Sequence, residues 1–513
     1  MSAGTQDPAG GRAEEPAAGE RVGDVLDLDV GAPANGGAHV ARRGPGEKVV
    51  FVSGALEGER VRARITRAQP KESFVRARVV EVLEPSPARR KHPWPVADPL
   101  EAPGGIAVGG AELGHAAPAE QRRIKATAAN DALVRLGRFR EEGLAQAGLL
   151  PKEAREVPVP SGSEGWRTRI ALAVGRDGRL GMHPSGTREV LSLEDMPLAV
   201  DALRIPGLFR TDFTGLERVE LAAGSDQVLV LLVERAARRP QRGQGRRGAR
   251  PAGHRRLSPQ RWTELAEAAA AAVREHQASR GQSGAADAAE PQGVSVAAWS
   301  PTTGELTPLI GRAELRQDVV HGGVRRSYRV TGDGFWQIHE GAPQALADAA
   351  MELLDPRPGE RIADLYAGAG LFTGAVLETV SARGGLCGSL LSVEAYPVTS
   401  ADAAANTPGD RTEEGVGVRV RASKVEDALH GERLDALVLD PSRAGAGASA
   451  VRAIAATGAA RVVYISCDAA SFARDARLLA DEGYDLVRRE LFDIYPDTHH
   501  VETAALFQRE SEG

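Results

Sequence analysis

The chain has 513 residues with 26% charged and 42% hydrophobic side chains, an ordinary balance for globular protein and enough length for two or three cored domains. No run nears the ~18 apolar residues needed to cross a bilayer, which excludes a membrane-spanning protein. Two cysteines argue against a disulfide framework and for a reducing, cytoplasmic setting.

Net charge is −6, but the charges are unevenly spread. Residues 21–91 hold 14 Lys/Arg against 9 Asp/Glu, and residues 331–513 hold 16 against 29. A basic front on an acidic rear reads as a binding module joined to a catalytic domain. Residues 1–20, acidic and rich in Pro and Gly, read as a disordered tail and not as a signal peptide.

Residues 21–87 alternate short β-type runs with turns, which predicts a small β-barrel. Arg60, Arg62 and Arg64 alternate with Val61, Ala63 and Ile65, and Arg76 and Arg78 alternate with Val75, Ala77 and Val79. One face is therefore basic and the other apolar. Such a face either binds an oligonucleotide or is simply solvated; the alternation fits both. Residues 88–330 read as a central α+β domain, with a helix over 121–136 and strands over 166–174, 179–183, 188–193, 227–233 and 294–299. Two insertions interrupt it: 235–256, with nine arginines, reads as a flexible loop able to touch phosphates, and 275–293 as linker.

From residue 331 onward a helix over 342–354 is followed by a repeated strand–turn–helix pattern. Strands are expected over 361–366, 390–395, 418–422, 436–440, 462–466, 484–492 and 501–508. The fold class is therefore α/β, with a Rossmann-like, mostly parallel C-terminal sheet. Such sheets keep their chemistry at the carboxyl ends of their strands. Four features fall there. Asp364-Leu365-Tyr366 runs into the turn Ala367-Gly368-Ala369-Gly370, where glycine lets a ligand approach the backbone. Glu394 ends the next strand, 30 residues beyond Asp364, suited to ribose hydroxyls. The NAD fingerprint wants three glycines and an acid about 20 residues on, so the spacing suits S-adenosylmethionine better. Asp440-Pro441-Ser442-Arg443 and Ser466-Cys467-Asp468 end two further strands, and Glu502 stands at the start of the last. A thiol and a carboxylate at the mouth of one sheet can serve as nucleophile and base; alone, each reads as packing or solvated surface.

Taken together, Gly334-Phe335-Trp336-Gln337, Asp364–Gly370, Asp440–Gly445, Ser466-Cys467-Asp468 and Thr498-His499-His500-Val501-Glu502 have the order and spacing of another group. The chain resembles the S-adenosylmethionine-dependent RNA 5-methyluridine (uracil-5-) methyltransferases, and residues 21–87 resemble their TRAM module. The resemblance implies that residues 331–513 form the methyltransferase domain and that tRNA or ribosomal RNA is the substrate. It implies S-adenosylmethionine contacts at Gln337, Tyr366, Glu394 and Asp440, with Cys467 as nucleophile and Glu502 as base. Neither a membrane nor an obligate protein partner is expected.

There are departures. Leu371 stands where many relatives have Asn, Ser442 replaces the second proline of a DPPR motif, and His339 replaces a frequent Asn. With only Cys387 and Cys467 in the chain, no four-cysteine iron–sulfur cluster or other metal site is expected. Leu371 and Ser442 keep open a second reading, a catalytically weak RNA-binding protein retaining the fold. A nicotinamide oxidoreductase is a third, disfavoured by the glycine spacing.

Overall fold

The computed structural model describes residues 21–42, 47–69, 71–184, 187–236, 257–282, 293–407 and 417–509. The tail at 1–20, and residues 237–256 within the Arg-rich insertion, lie outside these.

The first compact unit is a closed five-stranded barrel, in the order Val25–Pro33, Ala38–Ala41, Val49–Ser53, Phe74–Glu84 and Arg60–Ala68. The alternation read from sequence sets its inside and outside. Val61, Ala63, Ile65, Val75, Ala77 and Val79 are buried, while the arginines between them face outward or sit half-buried. The basic face is less free than its composition suggests. Arg62 bonds Asp27 at 2.9 Å and Glu81 at 2.8 Å, Arg67 pairs with Glu72 at 2.6 Å, and Arg60 lies 3.7 Å from Glu84. Arg64, Arg76 and Arg78 have no acidic partner among the described residues.

The remainder forms a second compact unit with two large sheets and a two-stranded one, Glu314–His321 against Val324–Thr331. The central sheet has seven strands in the order Glu305–Ile310, Gly293–Ser300, Gln227–Glu234, Leu216–Ala223, Arg169–Val174, Leu180–Met182 and Leu191–Ser192. The helix Pro259–Gln282 lays Leu265, Ala266, Ala269, Ala270 and Val273 onto its core. This corrects the first part of the linker expected at 275–293, whose residues 283–292 lie outside the described ones: the chain stays helical to Gln282, because its apolar stripe is held by the sheet despite a composition poor in large side chains.

The C-terminal sheet has eight strands, in the order Val418–Ala422, Ser389–Glu394, Arg361–Leu365, Ala436–Leu439, Arg461–Ser466, Glu502–Gln508, Asp485–Asp493 and Arg155–Glu156. The first five are parallel, and Glu502–Gln508 runs antiparallel to both neighbours. The short Arg155–Glu156 edge strand has no sequence signature; it pairs through two residues only. Chain order reverses between Arg361–Leu365 and Ala436–Leu439, and this switch point opens a crevice at the strands' carboxyl ends. The antiparallel strand brings its first residue, Glu502, to that same end. Ser466 pairs with Thr503, so Cys467 and Glu502 leave and enter the sheet side by side.

Among the described residues no helix is long and apolar enough to cross a membrane.

Candidate active site

One cavity of about 550 Å³ lies at the crevice, and Gln337, Tyr366, Glu394, Asp440, Cys467 and Glu502 all line it. Five of the six stand at strand ends of the C-terminal sheet; Gln337 comes from the segment before the helix Ala342–Leu354.

The Gly-rich turn forms one wall. Tyr366 takes φ 58° directly after its strand, a conformation non-glycine residues seldom adopt and one that turns the chain back over the sheet. Gly368 follows at φ 55°, and a Cβ there would meet nothing within 4 Å, so the backbone is open to a ligand. Glu394 braces the turn, accepting from Gly368 N at 2.9 Å and from Tyr396 N at 2.6 Å. Beneath it Asp364 is fully buried and accepts from Thr373 N at 2.8 Å and Thr373 Oγ1 at 2.6 Å.

Leu371 is buried in the core, and its carbonyl accepts from the Tyr328 hydroxyl at 3.2 Å. Leu371 also lines the cavity, so that position offers no polar side chain to a ligand; Asn406, outside the lining, donates from Nδ2 to Ala369 O at 2.9 Å and Arg329 O at 2.8 Å. Ser442 is solvent-exposed, and His339 is buried, stacked on Trp166 at 5.9 Å between centroids.

The opposite wall holds the reactive groups. Gln337 Nε2 donates to Asp440 Oδ2 at 3.3 Å, and the Tyr495 hydroxyl donates to Glu502 Oε2 at 3.3 Å. Burial pushes the Cys467 thiol up to about 12, helped by the charges of Glu502 and Asp440 and opposed by Arg443. Burial, then Asp440, holds the Glu502 carboxyl well above the usual carboxylate range. Asp440 itself is pushed up to about 7 by burial and by Asp364, and Asp364 to about 7 chiefly by burial. The crevice therefore stores protons on groups that would ordinarily be ionised or more acidic.

The two other residues that could act as base have different roles. Asp468 caps the helix Ala469–Asp481, accepting from Ser471 N at 2.7 Å. His500 is driven down to about 4 by burial and by the charges of His499 and Arg443, so it is neutral at pH 7. Cys387 is buried away from the cavity lining, its thiol raised to about 11 by burial.

A buried ion pair fixes the segment that carries these groups. Lys125, on the helix Pro118–Arg135, bonds Asp493 at 2.5 Å and the carbonyl of Tyr495 at 2.9 Å. Gln121 on the same helix donates to Asp497 at 2.8 Å, and Arg90 bonds Asp497 at 2.5 Å.

Sequence reasoning gave no role to Asp333, Phe335, Tyr396, Arg443 or Tyr495, which share the lining. Phe335 and Arg443 stood inside motifs already singled out, and Phe335 is 60% exposed although large and apolar. Tyr396, whose hydroxyl donates to Asp333 at 3.0 Å, lies just past Glu394. Only the fold brings Tyr495 to Glu502.

The chain is similar to several known proteins. Residues 309–510 match the family model described as tRNA (Uracil-5-)-methyltransferase, and residues 19–80 match that of the TRAM domain. The chain is 33% identical to an uncharacterised RNA methyltransferase of Streptomyces coelicolor over 503 residues, covering 96% of this chain and 94% of that protein. It is 28% identical to the 23S rRNA (uracil(1939)-C(5))-methyltransferase of Pseudomonas fluorescens strain Pf0-1, covering 91% and 88%. Its fold is similar to that of the Pyrococcus abyssi tRNA (uracil-54, C5)-methyltransferase, solved with S-adenosyl-L-homocysteine. The TM-score is 0.59 at 17% identity, over 94% of this chain and all of that one.

Proposed function

The chain belongs to the RNA (uracil-5-)-methyltransferase family, and from that premise we propose that it methylates carbon 5 of a uridine in tRNA or ribosomal RNA through a covalent adduct on Cys467. The observation that carries the proposal is the placement of Cys467 and Glu502 on neighbouring strand ends, facing one cavity with the Gly-rich turn.

The residues present fit S-adenosylmethionine. Gly368 leaves room for a ligand against the backbone, and Glu394 and Asp440 offer acceptors on either side of the switch point. Tyr366 and Gln337 complete the contacts. When bound, S-adenosylmethionine supplies an electrophilic methyl group on a sulfonium sulfur.

Carbon 5 of uracil is a poor nucleophile, and the work of Cys467 is to change that. Its thiolate adds to carbon 6, the carbon 5–carbon 6 pair shifts toward oxygen 4, and carbon 5 becomes an enolate carbon able to take the methyl group. Glu502 then removes the proton from carbon 5. The double bond re-forms and the sulfur–carbon 6 bond breaks, returning the thiolate. One proton leaves per turnover. A carboxylate with a raised proton affinity is a stronger base once ionised, and general-base help is typically worth about 10²–10⁴-fold. Arg443 favours the ionised forms of both Cys467 and Glu502.

The test is Glu502→Gln, which keeps shape and hydrogen-bonding reach but cannot accept the proton. With labelled S-adenosylmethionine and bulk unmodified RNA, a methylated protein–RNA adduct should accumulate on a denaturing gel and should vanish when Cys467→Ala is added. Near-normal turnover without adduct would remove Glu502 as the base. An absence of turnover in the unaltered enzyme would favour the RNA-binding reading.

A further inference from the structure

Two guanidinium groups near the catalytic cavity are not used up by the chemistry just described, in which only the charge of Arg443 acts, on Cys467 and Glu502. Arg443 lines the cavity and is exposed; Arg167 is half-buried and is not among the lining residues. Arg167 is placed by its backbone, which bridges to His339, and by its ring neighbour Trp166. Trp166 is buried, stacks on His339 and meets Tyr495 edge-on at 6.0 Å, and Tyr495 lines the cavity. The Arg167 guanidinium lies over the Trp166 ring at 4.5 Å, which holds its plane fixed.

Neither side chain makes a hydrogen bond to any described residue, and Arg167 Nε is buried without an acceptor. Arg169, two residues on, shows what an engaged guanidinium looks like here: it donates to Gly332 O at 2.8 Å and to Gly334 O. The charge of Arg443 bears on Arg167 and on His500. The facing carboxylate is Glu112, which is occupied by Gly110 N at 2.9 Å and lies 3.5 Å from His499 Nδ1. Two guanidinium groups without hydrogen-bond partners, one in the cavity lining and one over the Trp166 ring that packs on Tyr495, ask for an anion with several acceptor oxygens, and a phosphodiester matches their forked donors as a neutral base does not.

We propose that Arg167 and Arg443 form a phosphate subsite that grips a backbone phosphodiester of the RNA strand beside the nucleotide whose base enters the cavity. The inference rests on the proposed RNA methylation for the identity of the strand. By fixing the strand there, the pair would position carbon 6 against Cys467 without touching the base.

The experiment uses the full chain carrying Cys467→Ala, so that binding is read without turnover, and bulk RNA from cells lacking the gene as probe. Affinity is followed against salt from about 50 to 300 mM. Each phosphate contact on single-stranded RNA contributes about 0.7 to the log–log slope. Arg167→Gln with Arg443→Gln should flatten the slope by about that amount, and Arg167→Lys with Arg443→Lys should restore it. In the active enzyme Arg167→Gln alone, which leaves Arg443 in place beside Cys467 and Glu502, should raise KM for RNA more than it lowers kcat. S-adenosylmethionine affinity, measured alongside in Arg167→Gln alone because Arg443 lines the cavity, should stay unchanged. An unchanged slope, or a loss confined to kcat, overturns the subsite. If the parent chain binds RNA but bulk RNA takes no methyl group from the active enzyme, the catalytic reading fails while the slope still tests the subsite. If the parent binds no RNA at all, both fall.

Discussion

In a Cys387→Ala background, Cys467 of the RNA-free enzyme should resist alkylation by iodoacetamide. Burial and the neighbouring carboxyls push its thiol up to about 12. At about pH 8 such a group is ionised in roughly one molecule in 10⁴, against roughly one in ten for an ordinary thiol near 9. The more basic thiolate is also more nucleophilic, by about 0.4–0.5 log unit for each unit of pKa, which recovers roughly 15- to 30-fold of the thousand-fold deficit. Cys467 should then react roughly 30- to 60-fold more slowly than an exposed peptide thiol, and its rate should keep rising with pH past about 10. The assay is mass-spectrometric labelling of the native chain at several pH values, with the guanidine-unfolded chain as reference. Arg443→Gln, which removes the positive charge opposing the shift, should slow labelling further at a given pH. Labelling at about pH 7 as fast as in the unfolded chain would refute the buried, proton-holding site. It would mean that the thiolate is stabilised before RNA arrives.

Three other outcomes follow from the same geometry. Asp440→Ala and Glu394→Ala should each weaken S-adenosylmethionine binding by calorimetry, by about 1.5–3 kcal/mol if each loses a bond to a charged acceptor; unchanged affinity in both would misplace the pocket. Asp364 binds a proton more tightly folded, near 7, than its ordinary 3.8. Its contribution to stability is thus fully present below about pH 4 and is lost as pH rises through about 7. Tm should fall between about pH 5 and 8 less steeply in Asp364→Asn than in the parent, and parallel curves would contradict the shift. On the barrel, Arg64→Gln and Arg76→Gln should flatten the salt dependence of RNA binding more than Arg62→Gln, because Asp27 and Glu81 already engage Arg62. Equal effects would mean that those ion pairs open on binding.

Much of the fold was legible in the sequence where the signal is local. Burial on both faces forces the parallel strands into unbroken β-branched and aliphatic runs such as Val462-Val463-Tyr464-Ile465, and the barrel's one-sided burial forces strict alternation. The Gly-rich turn, the acid after each strand and the thiol could be read because a position at a strand's carboxyl end follows from the strand itself. Helix Pro259–Gln282 was missed because its alanine-rich stripe gains stability from the sheet, not from its own composition. What only the tertiary structure decided is which distant residues meet. The antiparallel insertion of the last strand sets Glu502 beside Cys467, and the Lys125–Asp493 pair ties the Tyr495 segment to a helix some 370 residues earlier. The protonation of the crevice was decided there too: a cysteine, a glutamate and two aspartates have ordinary affinities as separate letters. Only their shared burial raises the proton affinity of all four, with Arg443 opposing the rise at Cys467 and Glu502.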